Sequence, residues 1–124
     1  MANSKKTVVI GASPNPSRYA YQAAHMLSRH GHDFIPLSIK KGNVAGEEIM
    51  DLREKPVITD IDTLTLYIGP QHQAEWIDYL LSLSPRRIIF NPGTENKYFI
   101  QKAEGQGVEV VSGCTLVMLQ TGTY

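Results

Sequence analysis

The feature that most limits what this chain can fold into is a rhythm. Five short apolar runs recur at the spacing of strand–helix units. They are Thr7-Val8-Val9-Ile10, Phe34-Ile35-Pro36-Leu37, Leu64-Thr65-Leu66-Tyr67-Ile68, Arg87-Ile88-Ile89-Phe90 and Val108-Glu109-Val110-Val111. Gly11, Gly69-Pro70, Asn91-Pro92-Gly93 and Ser112-Gly113 stop four of them. The first, third and fourth are almost continuously apolar rather than alternating, the pattern of strands covered on both faces in a parallel sheet.

Helical periodicity fills the gaps between the runs. Ala20, Ala23, Ala24 and Leu27 fall at i, i+3, i+4 and i+7, with Gly31 placed to end that helix. Ala74, Ile77, Leu80 and Leu81 form a second stripe flanked by Trp76, and Pro85 blocks its continuation. A third helix is predicted from Asn96 to Glu104, carrying Phe99, Ile100 and Ala103. Between Lys40 and Thr63, Gly42 and Gly46 argue for a loop, with a short helix over Glu47 to Arg53. Thr115 to Leu119 reads as a last helix or a strand extension.

Alternating strands and helices predict an α/β, Rossmann-like fold: a doubly wound, five-stranded parallel sheet with helices on both faces. A chain of 124 residues suits one such domain over residues 1–124. Twelve Lys plus Arg balance twelve Asp plus Glu, so no global basic field draws nucleic acid or an anionic membrane. Any anion site must be local. The single cysteine, Cys114, excludes an internal disulfide and a Cys-rich zinc site. No run reaches the ~18 apolar residues of a membrane span. Met1 to Lys6 is polar and lacks the apolar core of a signal peptide, so the expected location is cytoplasmic.

In folds of this kind ligands bind beyond the carboxyl ends of the strands, near the point where strand order reverses. The first such loop is Gly11-Ala12-Ser13-Pro14-Asn15-Pro16-Ser17-Arg18. Gly11 permits a tight turn, Ala12 and Ser13 allow close approach, and Ser13 and Ser17 offer hydroxyls. The following helix presents free N–H groups and Arg18 supplies a cation, which together describe a phosphate cradle. The plain alternative is a βα loop with a serine cap. The dinucleotide fingerprint G-x-G-x-x-G is absent. The second strand exits into Ser38-Ile39-Lys40-Lys41, with no acid for a ribose 2′-hydroxyl. Lysine there suits an extra phosphate, as in NADP or the 3′-phosphate of coenzyme A, unless both lysines are simply solvated. Asn91-Pro92-Gly93 reads as a plain turn, or as one whose backbone meets a pantetheine chain. Cys114, at the same edge, is a small buried hydrophobe unless a base activates it. His25, His30, His32 and His72 lack metal-ligand spacing; His25 to His32 read as solvated residues of a helix end and turn, and Glu47, Glu48 and Asp51 as one solvated face. Asp60 and Asp62 flank a turn and form no evident acid–base pair.

Taken in order, Val8-Val9-Ile10-Gly11-Ala12-Ser13, Pro16-Ser17-Arg18-Tyr19, Leu27, Gly31, Pro36, Lys40 and Gly46 resemble the small stand-alone CoA-binding proteins. These are similar to the N-terminal CoA-binding domain of the succinyl-CoA synthetase alpha subunit. Asn91-Pro92-Gly93 and Cys114 sit where that family carries a glycine-containing turn and a cysteine. The resemblance covers nearly the whole chain. It implies that Gly11, Ala12, Ser13, Pro16, Ser17 and Arg18 hold the phosphate or pantetheine part of CoA. It places Lys40 near the ADP phosphates, Ile68 and Gly69 near adenine, and Asn91 and Pro92 along the ligand. Two departures stand out: Ser38-Ile39 replaces the usual Asn-Pro before the lysine, and Phe90-Asn91-Pro92 replaces an aromatic and Gln.

The expected function is therefore non-catalytic binding of coenzyme A or an acyl-CoA, as a sensor, carrier or partner subunit, with a homo-oligomer or another protein partner left open. The alternatives are an NADP-type redox protein or sensor, for which one domain leaves no second half to hold a hydride acceptor, and a thiol enzyme built on Cys114.

Overall fold

The computed structural model describes residues 4–124. Residues 1–3, the beginning of the polar start noted above, lie outside them. The main sheet is parallel throughout, with strands β1 (Thr7–Ile10), β2 (Phe34–Ser38), β5 (Met50–Asp51), β6 (Thr63–Leu66), β7 (Arg87–Phe90) and β8 (Glu109–Ser112). Their order is β5-β2-β1-β6-β7-β8, so the direction of winding reverses between β1 and β6. The five expected strands are all present, and the sheet has six because Met50 and Asp51 pair with Leu37 and Ser38 at the edge.

The helix expected over Glu47 to Arg53 does not form. β3 (Asn43–Val44) and β4 (Glu47–Glu48) make an antiparallel hairpin instead, and only Leu52–Glu54 closes into a single 3-10 turn. The reason is the two-residue connection. Ala45 and Gly46 both have positive φ (49° and 84°), the geometry whose twist suits a tight hairpin.

Four α-helices cover the sheet: α1 (Tyr19–Arg29), α2 (Ile77–Ser82), α3 (Lys97–Gly105) and α4 (Thr115–Thr121). Alternation along the strands sorts their partners. Val8, Ile10, Leu64, Leu66, Ile88 and Phe90 point to one face and pack with Ile77, Leu80, Leu81, Phe99 and Ala103 of α2 and α3. Phe90 and Phe99 meet edge to face, ring centroids 5.1 Å apart. Val9 points to the other face, with Ala20, Ala24 and Leu27 of α1 and Leu119 of α4. The alanine stripe of α1 lets that helix lie close on the sheet. α2 begins only at Ile77, so Ala74 of the expected stripe is exposed in the preceding turn. α3 starts where the side chain of Asn96 accepts the N–H of Phe99.

His30 and His72 are exposed, but His25 and His32 are less solvated than the sequence implies. His25 packs against Tyr21, ring centroids 4.5 Å apart, and its Nε2 is buried. His32 Nδ1 accepts the backbone N–H of Lys5. Asp51 is bound by Arg53, and Asp62 by Arg86. No helix among the described residues is long and apolar enough to cross a membrane.

Candidate functional site

The carboxyl ends of β1, β2, β6 and β7 open into a cleft at the reversal of strand order, the position where ligands enter doubly wound sheets. It has two chambers. One, of about 310 Å3, is walled by apolar Ile39, Leu52, Ile68 and Trp76, with His72 and Glu75 at its rim. The other, of about 250 Å3, is formed by Ser13, Arg18, Tyr19, Pro92, Gly93 and Thr94. Gly11, Lys40, Tyr67 and Gly69 border both. Among the described residues no carboxylate lines the Arg18 chamber. The ion pairs among the described residues use neither Arg18 nor Lys40.

Each loop has a local reason for its shape. Gly11 adopts φ +89°, and a Cβ there would lie 3.1 Å from the carbonyl group of Tyr67 and from Ile68 Cγ1. Only glycine lets β1 and the exit of β6 come this close. Ser13 is buried, and its Oγ accepts the N–H of Asn15 (3.0 Å). Asn15 Oδ1 in turn accepts the N–H and hydroxyl of Ser17. These two side-chain turns carry the chain to α1. Arg18 is the N-cap residue of α1, with no side chain capping the helix start, so first-turn N–H groups are left available. Pro14 fits against Gly42, where a Cβ would fall 2.9 Å from the proline ring; this contact joins the first and second loops. After β2, Ser38 Oγ accepts the N–H of Lys40 (3.1 Å), turning Lys40 into the cleft.

The opposite wall is held by a side chain that no sequence pattern singles out. Gln73 is buried; its amide donates to the carbonyls of Ile68 and Thr94, 2.8 Å each, and its oxygen accepts from Asn96 Nδ2. It therefore joins the loop after β6 to the loop after β7, one on each side of the cleft.

The proposed site residues do not all lie on the cleft surface. Gly11, Ser13, Arg18, Lys40, Ile68, Gly69 and Pro92 line it. Ala12 is fully buried in the core beneath the loop. Pro16 and Ser17 are exposed outside the lining, and the Ser17 hydroxyl is turned to Asn15. Asn91 is buried behind the wall. Its Nδ2 donates to Thr65 Oγ1 and the Leu66 carbonyl, and its Oδ1 accepts the N–H of Thr115. That side chain is spent on fixing α4 to β6.

Tyr67, Trp76 and Glu75 join the site although no sequence pattern points to them, and His72 joins it from the loop after β6. Tyr67 belongs to the third apolar run, and its place beside Gly11 follows from β6 ending at Leu66. Its hydroxyl is buried beside Thr65 and Thr115 without a hydrogen bond of good geometry to either. Burial holds the phenol proton on well above the usual tyrosine range, against a smaller opposing pull from those two hydroxyls. Cys114 is half-buried at the start of α4. Among the described residues no group of three His, Cys, Asp or Glu could hold a metal ion.

Fold and cleft together define a doubly wound α/β domain with a two-chambered site at its switch point. The CoA binding domain family model matches residues 5–120. The chain belongs to that family. Among solved structures it is similar to one titled only as an uncharacterized protein, at 53% identity and a TM-score of 0.94 over 98% of each chain. A hypothetical protein from Pyrococcus horikoshii OT3 shares 25% identity at a TM-score of 0.82, over 97% of this chain and 84% of that one. A protein from Thermus thermophilus shares the fold, with a TM-score of 0.81 at 20% identity over 99% of this chain and 92% of that one. A search of curated proteins finds no match.

Proposed function

We propose that the cleft binds coenzyme A or an acyl-CoA and that the chain acts as a binding module: a sensor, carrier or partner subunit. The observation that carries the reading is the pairing of two chemically unlike chambers across one junction. The apolar chamber of Ile39, Leu52, Ile68 and Trp76 suits a flat base. The junction and the second chamber offer Lys40, Arg18, the Ser13 hydroxyl and the open first turn of α1, donors suited to phosphate. Pro92, Gly93 and Thr94 supply a weakly polar wall for an amide-bearing arm. A ligand with a base at one end, phosphates in the middle and a neutral chain beyond is what this order accommodates, and coenzyme A has that order.

In this reading Gly11, Ser13, Arg18, Lys40, Ile68, Gly69 and Pro92 touch the ligand, joined by Tyr67 and Trp76. Ala12, Pro16, Ser17 and Asn91 shape the loops. The test is a thermal-shift series with CoA, acetyl-CoA, NAD, NADP and ADP. A ligand at 100-fold excess over its dissociation constant adds about 2.7 kcal/mol of stability. CoA species should stabilise the protein more than NAD or NADP. Equal shifts for CoA and NAD would overturn the reading, and a larger shift for NADP would favour a redox-sensor role instead.

A further inference from the structure

The sheet ends on one side at β5 and on the other at β8. β5 is two residues long and runs at once into the turn Leu52–Glu54, so it offers little to pair with. β8, Glu109–Ser112, is four residues long. It carries none of the devices that shield an edge: no lysine, no proline and no bulge. Its bonds to β7 fix which groups point away. The N–H groups of Glu109 and Gly113 go to the carbonyls of Arg86 and Phe90. Direction alternates along a strand, so the N–H and C=O groups of Val110 and Ser112 point outward. Among the described residues none of these four groups has a partner.

This edge is complementary to itself. Two copies of β8 laid antiparallel about Val111 set Val110 of each against Ser112 of the other. Each such pair exchanges two N–H···O bonds, so every outward group finds a partner. The neighbouring registers do worse. Centred on Val110, Ser112 would face Val108, whose N–H already goes to Ala103. Centred on Ser112, Val110 would face Cys114, where the chain has turned into α4.

The same register keeps like charges apart. Glu109 falls opposite Gly113 of the other copy and keeps its own bond to Arg86. The two Glu109 residues stand about 14 Å apart along the strands, beyond the ~8 Å screening length of physiological salt. Val111 meets its own counterpart in a non-hydrogen-bonded pair, where facing side chains come closest. It is half-buried as the chain stands, as is Val110 on the other face. Gly107 and Gly113, at either end, add no side chain to obstruct the approach.

We propose that β8 pairs antiparallel with β8 of a second copy, about a two-fold axis at Val111, so that one sheet runs through both. A four-residue contact falls short of the roughly 1,200 Å2 of a standard interface, so the dimer is weak and forms with rising concentration. No residue of β8 lines either chamber of the cleft, which stays open in both copies.

The test is sedimentation equilibrium of the full chain from about 10 µM to about 1 mM, the range of weak interfaces. A reversible monomer–dimer equilibrium is expected. Val111→Lys sets like charges directly opposite and should leave the chain monomeric. Ser112→Pro removes an outward N–H at an edge position, where proline is tolerated, and should do the same. Thermal melts check that both variants are folded. Cross-linking reads the register itself. In a Cys114→Ser background, Val111→Cys should oxidise to a disulfide-linked dimer, because the facing Cα atoms of such a pair lie about 4.5 Å apart. Val110→Cys should not, because its partner is Ser112. A chain monomeric throughout the range, a dimer indifferent to both Val111→Lys and Ser112→Pro, or cross-linking at position 110 in preference to 111 would each overturn the proposal.

Discussion

The two faces of the sheet are built from alternate residues of the same strands, yet they solve different problems. Toward α2 and α3 the strands present Val8, Ile10, Leu64, Leu66, Ile88 and Phe90, an apolar layer. Toward α1 and α4 they present Thr7, Thr63, Thr65 and Arg87 around Val9 and Ile89, all buried. On that second face, hydrogen bonds replace part of the packing. Thr65 and Thr115 share one at 2.7 Å, and Asn91 joins Thr65, Leu66 and Thr115. The difference shows that burial alone does not define a core. The apolar face supplies transfer energy and tolerates modest repacking. The polar face supplies fixed geometry through hydrogen bonds, and a group left unmatched on it, such as Arg87 Nη2 or the Tyr67 hydroxyl, is costly. That face leads directly to Tyr67 and Gly11 in the cleft.

Substitutions can break this contrast. The largest effect is expected on the apolar face: Phe90→Ala should cost about 3–5 kcal/mol in a denaturant melt, since the ring is fully buried against Phe99 and leaves a cavity. On the polar face Asn91→Ala removes little volume but strands the Thr115 N–H and the Leu66 carbonyl. A loss of about 2–4 kcal/mol should follow, about 1–2 for each of the two buried groups left unpaired. If Asn91→Ala proves neutral, the polar network does not fix α4. Gln73→Leu, on the other side of the sheet plane, should weaken CoA binding more than it lowers the melting temperature, because it frees both cleft walls. Equal affinity would mean that the walls hold their spacing without it.

The remaining predictions are smaller. Arg18→Ala should lower CoA affinity about tenfold, the effect of one charge-assisted contact, with stability unchanged because Arg18 is exposed. Titration should sharpen the comparison further. Burial first, then the charges of Lys5, His30 and Arg87, lower the pKa of His32, partly opposed by Asp62. The unfolded chain therefore takes up a proton near pH 6.5 that the folded chain refuses, and stability falls as pH drops below that value. For Asp62, burial opposes ionisation, but the bonds from Arg86 and Thr63 outweigh it and lower its pKa. Its contribution is present above about pH 4 and is lost below it. His32→Gln should flatten the first window of a pH–stability curve and leave the second. A first window unchanged in that variant would assign it to another group.

Much of this molecule was legible in its sequence. Continuous apolar runs declared buried parallel strands, because both faces of such strands are covered. The alanine stripe declared a closely packed α1, and Gly11 with Ser13, Arg18 and Lys40 marked the cleft, because carboxyl-end loops are where the chain can expose such groups. What the sequence hid was set by distance along the chain. Met50–Asp51 becomes a strand only because the β2 edge is there to pair with it. Asn91 looked like a ligand contact and Gln73 like nothing at all. Their roles depend on partners 21 to 26 residues away that only the sheet order brings within reach. Arg87 heads an apolar run, and nothing local tells whether such a residue faces water or the interior. Register decided that: Arg87 lies opposite Thr63, on the face that α4 closes. Local chemistry fixed the elements and the loops able to carry function. The tertiary structure decided which polar groups are free to meet a ligand and which are consumed in holding the fold together, because hydrogen-bond partners are assigned in space and not along the chain.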